Sequence, residues 1–111
     1  MNICQLPARS CVVLVRVGLV GVALLVATGC GNALYAVRVN AASGKLEEAR
    51  ELGAEQSAPY EYYYAKEHLQ KAQSEAAEAD YGDAVDLAAT SEEYAKRAVR
   101  LAREAQREAG R

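Results

Sequence analysis

Four sets of side chains have types and spacings that could do chemistry. Cys30 closes the run Leu24-Leu25-Val26-Ala27-Thr28-Gly29-Cys30, where a thiol follows two small residues at the end of an apolar stretch. A sulfur in that setting is a nucleophile for covalent modification. Tyr60, Tyr62, Tyr63 and Tyr64 crowd four positions out of five. Such a cluster can stack on sugars or anchor a partner, because tyrosine is enriched at interfaces. Lys96, Arg97, Arg100, Arg103, Arg107 and Arg111 form a basic run that could meet anionic headgroups or acidic polymers. His68 is the one histidine.

The remaining chemistry is excluded by missing partners. A metal centre needs several nitrogen, sulfur or carboxylate ligands converging, and none is suggested around His68, which reads as a solvated surface residue; no metal and no diffusible cofactor are expected. Ser43, Ser57, Ser74 and Ser91 have no histidine near in sequence and no nucleophile-elbow glycines. Glycine-rich phosphate loops are absent. The expectation is a protein that is not an enzyme.

The segment that must position Cys30 has the layout of an export signal. Arg9 and Arg16 precede the apolar stretch Val17 to Ala27, which is 11 residues long and carries no acid. Crossing a bilayer takes about 20 apolar residues, so the segment reads as cleaved. The run ending Gly29-Cys30 resembles the lipobox of bacterial lipoproteins, with cleavage between Gly29 and Cys30. That resemblance implies lipid on the Cys30 sulfur and on its new amino group, and stable anchoring by two or more acyl chains. Cys4 and Cys11 would leave with the signal, so no thiol would remain for a disulfide or for catalysis. Gly31 follows Cys30, which in enteric bacteria resembles the outer-membrane address. The expected organisation is a signal peptide over 1–29, a lipidated N-terminus and short tether over 30–33, and an Ala-rich domain over 34–111.

From Cys30 to Arg111, 11 basic residues stand against 15 acidic ones, a net charge of −4. Nucleic acid is not an expected partner, since phosphate neutralisation needs a basic surface. With no Phe or Trp in the chain, alanine and tyrosine must supply much of the core. Helical periodicity says how. Tyr35, Val39, Ala42, Leu46, Ala49 and Gly53 follow alternating steps of four and three. Tyr62, Ala65, Leu69, Ala72, Ala76 and Ala79 repeat the pattern. On the last segment Ala84, Ser91, Ala98 and Ala105 share one heptad position, Leu87, Tyr94 and Leu101 another, and Ala88, Ala95, Ala102 and Ala109 the adjacent one. A seam of small residues lets helices approach at the short end of the usual 8–10 Å spacing.

The pattern predicts an all-α fold, a small antiparallel three-helix bundle with helices near Leu34 to Gly53, Ala58 to Ala79 and Asp83 to Ala109. Gly53 can end the first helix in a left-handed cap. Ser57 can cap the second, with Pro59 in its first turn. Asp80-Tyr81-Gly82-Asp83 reads as a tight turn, and Gly44 as a bend. Tyr62 falls in the seam. Consecutive helical positions fan around the axis, so at least one of Tyr60, Tyr63 and Tyr64 is exposed. The acids at the start and bases at the end of the third helix suit its dipole, with Glu92–Lys96 and Glu93–Arg97 as i,i+4 pairs, while Arg103 and Arg107 repel each other.

Ala49-Arg50, Leu52-Gly53-Ala54, Ala58-Pro59-Tyr60-Glu61, Ala65, Leu69, Ala72, Asp80-Tyr81, Ala84, Leu87-Ala88 and Ala95 together resemble the bacterial lipoprotein family with the helical domain of unknown function 4398. The resemblance implies a short envelope lipoprotein, or the helical part of proteins that also carry an OmpA-like domain. Together these readings give an expectation of an outer-membrane-anchored, periplasmic, non-catalytic helical module. Its partners would be the membrane, through the lipid anchor, and envelope proteins, an OmpA-like one among them. The surface would be drawn from Tyr60, Tyr63, Tyr64, Arg100, Arg103 and Arg107. The alternatives are an accessory subunit of a transport partner and a self-associating coiled-coil homo-oligomer.

Overall fold

The structure, a computed structural model, describes residues 30–111. The expected signal segment, with Cys4, Cys11 and Gly29, lies outside the described residues. Among the described residues the chain forms α1 (Cys30–Glu51), the single-turn α2 (Ala54–Ser57), α3 (Pro59–Ala77) and α4 (Tyr81–Ala109).

Three long helices run up, down and up. Ser91 of α4 donates to the Ala65 carbonyl of α3 while Tyr94 stacks on Tyr64, so rising numbers on one helix meet falling numbers on the other. Between α1 and α4 the order is parallel: Arg38 meets Glu92, Glu48 meets Arg103, and the Gln106 amide donates to the Leu52 carbonyl at 3.1 Å. The predicted bundle is the observed one, with α2 inserted at the first corner.

Small residues hold the centre. Ala42, Ala49, Ala65, Ala72, Ala84, Ala88, Ala95, Ala98 and Ala102 are all fully buried, as is Ser91. Its hydroxyl donates 2.7 Å to the Ala65 carbonyl, so the one buried polar side chain in this seam is satisfied. Larger residues flank the seam. Leu46, Leu52 and Leu101 pack half-buried against a cluster of Ala49, Ala54, Ala58, Tyr62, Ala98, Val99 and Ala102 at the Gly53 corner. Tyr62 is therefore a core residue, as its place in the seam predicts.

The helices differ from the sequence expectation in four places. Residues 30–33, expected as a tether, are helical. Gly44 makes no bend; α1 runs through it, and a Cβ there would meet nothing within 4 Å. Gly53 is left-handed as expected, with φ of 75°, but Ser57 does not cap α3. Its hydroxyl donates back to the Gly53 carbonyl at 3.0 Å within α2, and Ala58 takes the cap position before Pro59. Asp80 to Asp83 is not a free turn either. Asp80 is the cap of α4, its carboxylate accepting from the Asp83 backbone N–H at 3.2 Å, and Tyr81 already begins the helix.

Candidate functional site

Tyr60, Tyr64 and His68 recur every four residues on α3, which brings them onto one stripe. Tyr94 of α4 meets that stripe from the side. Ring centres are 4.2 Å apart for Tyr64 and Tyr94, 5.7 Å for Tyr60 and Tyr64, and 6.3 Å for Tyr60 and Tyr94. The Arg97 guanidinium caps the Tyr94 ring at 4.7 Å. His68 is stacked on Tyr64 at 4.1 Å, with Nδ1 2.9 Å from the Tyr64 carbonyl. It is half-buried in the α3–α4 groove rather than solvated on the surface. The i,i+4 spacing from Tyr64 is the reason, and it was legible in the sequence.

Tyr64 has thus spent its ring on packing, whereas Tyr60 and Tyr63 are 63% and 47% exposed. These two, with Pro59, Glu67 and an edge of Tyr64, line a shallow groove of about 330 Å³ on the outer side of α3. A second groove of about 370 Å³ lies between α3 and α4. His68 and Lys71 reach it with Glu75, Asp83 and Asp86, so its walls carry more acid than base. Among the described residues no group of three or more His, Cys, Asp or Glu side chains is placed to hold a metal ion.

The basic run is divided by its partners. Arg97 pairs with Glu93 and Lys96 with Glu92, the expected i,i+4 pairs. Arg103 is bound to Glu48 of α1. Its repulsion from Arg107 is therefore offset across the helix interface, a compensation the α4 sequence does not show by itself. Arg100 and Arg107 pair with no carboxylate among the described residues. They open with Lys96, Arg103 and Glu104 onto a groove of about 210 Å³ floored by Val99.

Glu92 and Glu48 bridge α1 and α4 at two levels of their interface. Glu92 sits between Lys96 and Arg38, the latter at 3.5 Å, and the Lys96 hydrogen bond with the nearby cations holds its carboxyl below the usual range. Glu48 sits between Lys45, at 2.7 Å, and Arg103, and is lowered chiefly by the Lys45 hydrogen bond. Sequence reasoning missed both bridges because they depend on the register between helices. In the cluster at the Gly53 corner, burial pushes the Tyr62 hydroxyl above its ordinary range, with Glu55 beside it adding to the effect.

Cys30 is the first described residue of α1. Among the described residues no helix is long and apolar enough to cross a membrane. The features in hand define a class: a small alanine-seamed helical bundle whose notable side chains lie on outer faces rather than in an enclosed pocket. The sequence model of one family, described as Domain of unknown function (DUF4398), matches residues 37–111, and the chain belongs to that family. No curated protein and no solved structure matches it.

Proposed function

We propose that the protein is a lipoprotein of the bacterial outer membrane, anchored through acylated Cys30 and facing the periplasm, whose bundle is a non-catalytic interaction module. The observation that supports this best is the joining of two features at one residue. The lipobox-like run ends at Cys30, and the helix that leads into the bundle is already formed there. The anchor then connects directly to a helical scaffold, and the scaffold offers exposed tyrosines and unpaired arginines rather than a nucleophile with a base. A partner in the envelope, such as an OmpA-like protein or a transport component, would engage the exposed tyrosines.

Metabolic labelling with radioactive palmitate tests the anchor. The full chain should take up label and fractionate with outer membranes, and Cys30→Ser should abolish both. Label that persists in the variant, or wild-type protein that stays in the soluble fraction, overturns the reading.

A further inference from the structure

Among the described residues exposed large apolar side chains are few. Besides Tyr60 and Tyr63 they are Leu34 and Val37, 49% and 65% exposed, both in the first turns of α1. At 100° per residue, Leu34, Val37, Arg38, Ala41, Lys45 and Glu48 fall within a sector of roughly 100°, apart from the seam residues Val39, Leu46 and Ala49. Glu48 from that sector reaches Arg103, and Arg38 reaches Glu92. The sector therefore adjoins α4 on the side where Lys96, Arg100, Arg103 and Arg107 open their groove.

One continuous face results, made by α1 and α4. It is apolar near Cys30 and basic toward the Gly53 corner. It carries six cations, Arg38, Lys45, Lys96, Arg100, Arg103 and Arg107, against Glu48, Glu92 and Glu104, a surplus of three in a chain whose net charge is −2. Between Cys30 and Leu46 there is no acid at all. Part of the acid sits elsewhere, in the α3–α4 groove, where Glu75, Asp83 and Asp86 outnumber Lys71.

We infer that the α1–α4 face lies flat on an anionic bilayer, with Leu34 and Val37 entering the headgroup–acyl boundary and Arg100, Arg107 and their neighbours against lipid phosphates. This orientation rests on the anchor proposed above and has three supports. Two exposed apolar side chains beside a row of cations fit the composition of an interfacial surface, which buries its apolar side about 5–10 Å deep. Juxtamembrane cations are attracted to anionic leaflets over about a Debye length. Leu34 and the level of Arg103 are separated by about 20 Å along the axis, taking Glu48 as the marker of that level. A bundle standing upright on Cys30 would bring only the apolar end to the surface; lying along the membrane satisfies both ends.

The test uses the full chain, purified from bacterial membranes and reconstituted in phosphatidylethanolamine vesicles with or without phosphatidylglycerol. The chain has no Trp, so Val37→Trp and Tyr63→Trp each introduce a single reporter. The indole at position 37 should emit to the blue and be quenched by acyl-brominated lipid. The indole at position 63 should be several-fold more open to aqueous acrylamide. R100E/R107E in the Val37→Trp background should return the first reporter toward water, selectively in phosphatidylglycerol vesicles, with helical circular dichroism unchanged. Equal acrylamide access at both positions, or no response to anionic lipid, overturns the inference. Mass analysis of the Cys30 peptide separates this from the anchor. An acylated Cys30 with position 37 in water defeats the orientation alone. An unmodified Cys30 with position 37 in lipid defeats the anchor and supports the face.

Discussion

Two residues sit in each other's natural places. Ala79 closes α3 with φ of 65°, the left-handed region that costs a Cβ-bearing residue roughly 1–2 kcal/mol. The surrounding geometry demands it. Asp80 N–H donates to the Glu75 carbonyl at 2.9 Å and Ala79 N–H to the Ala76 carbonyl at 3.1 Å, the double bond of a Schellman ending, where glycine is the usual residue. Gly44, by contrast, lies inside α1 with room for a Cβ, where glycine is worth about 1 kcal/mol less than alanine. The sites lie on different helices, well apart in the sequence, and their effects should add. A new glycine at 79 also raises the entropy of the unfolded chain by about 0.4–1 kcal/mol, so the double variant G44A/A79G is expected to gain about 1–2 kcal/mol in urea denaturation, with unchanged m-value. No gain, or a loss, would show that one of these backbone conformations is not the native one.

At the scale of the element, the seam accounts for how the three long helices pack. Their fully buried positions are mostly alanine, so the backbones come close and the larger Leu46, Leu52 and Leu101 wedge the flanks. This much was legible because heptad spacing is a local property: Ala84, Ser91 and Ala98, and Ala88, Ala95 and Ala102, are fully buried as their positions predict. Helix ends were less legible, since Ser57 bonds back into α2 instead of capping α3, Asp80 caps α4 from inside the expected turn, and a shift of one or two residues changes no pattern. Cross-helix pairs such as Arg38–Glu92 were illegible, being set by a register that no single helix encodes. The seam makes a sharp prediction. Ala95 is fully buried, and Ala95→Leu must push α4 off its neighbours. A loss of about 1–3 kcal/mol is expected, seen as a lower melting temperature by circular dichroism. Leu46→Ala, at a half-buried flank, opens no overpacked contact and gives the comparison. A neutral Ala95→Leu would mean that the helices do not approach closely there.

Across the whole molecule the outer faces divide the work. In the orientation proposed above the α1–α4 face would meet lipid, and α3 would present the exposed Tyr60 and Tyr63 to the aqueous side. The two rings are exposed for different reasons: Tyr60 leans on Tyr64 and Tyr94, while Tyr63 stands edge-on to the buried Tyr62 at 5.2 Å. Both are thus held by packed neighbours, and a rigid, half-held aromatic is the type of side chain that dominates an interface when a partner covers it. We propose that this face of α3 is where an envelope protein docks. A photo-crosslinking amino acid placed at position 63 in living cells should give one discrete adduct, recovered reciprocally through the partner, while the same group at position 100 should give lipid adducts or none. Tyr60→Ala should weaken recovery on the order of 5–30-fold, the effect of about 1–2 kcal/mol, without changing helical content. The same adduct from both positions would place the partner on the membrane face instead, and unaltered recovery with Tyr60→Ala would remove the tyrosines from the interface.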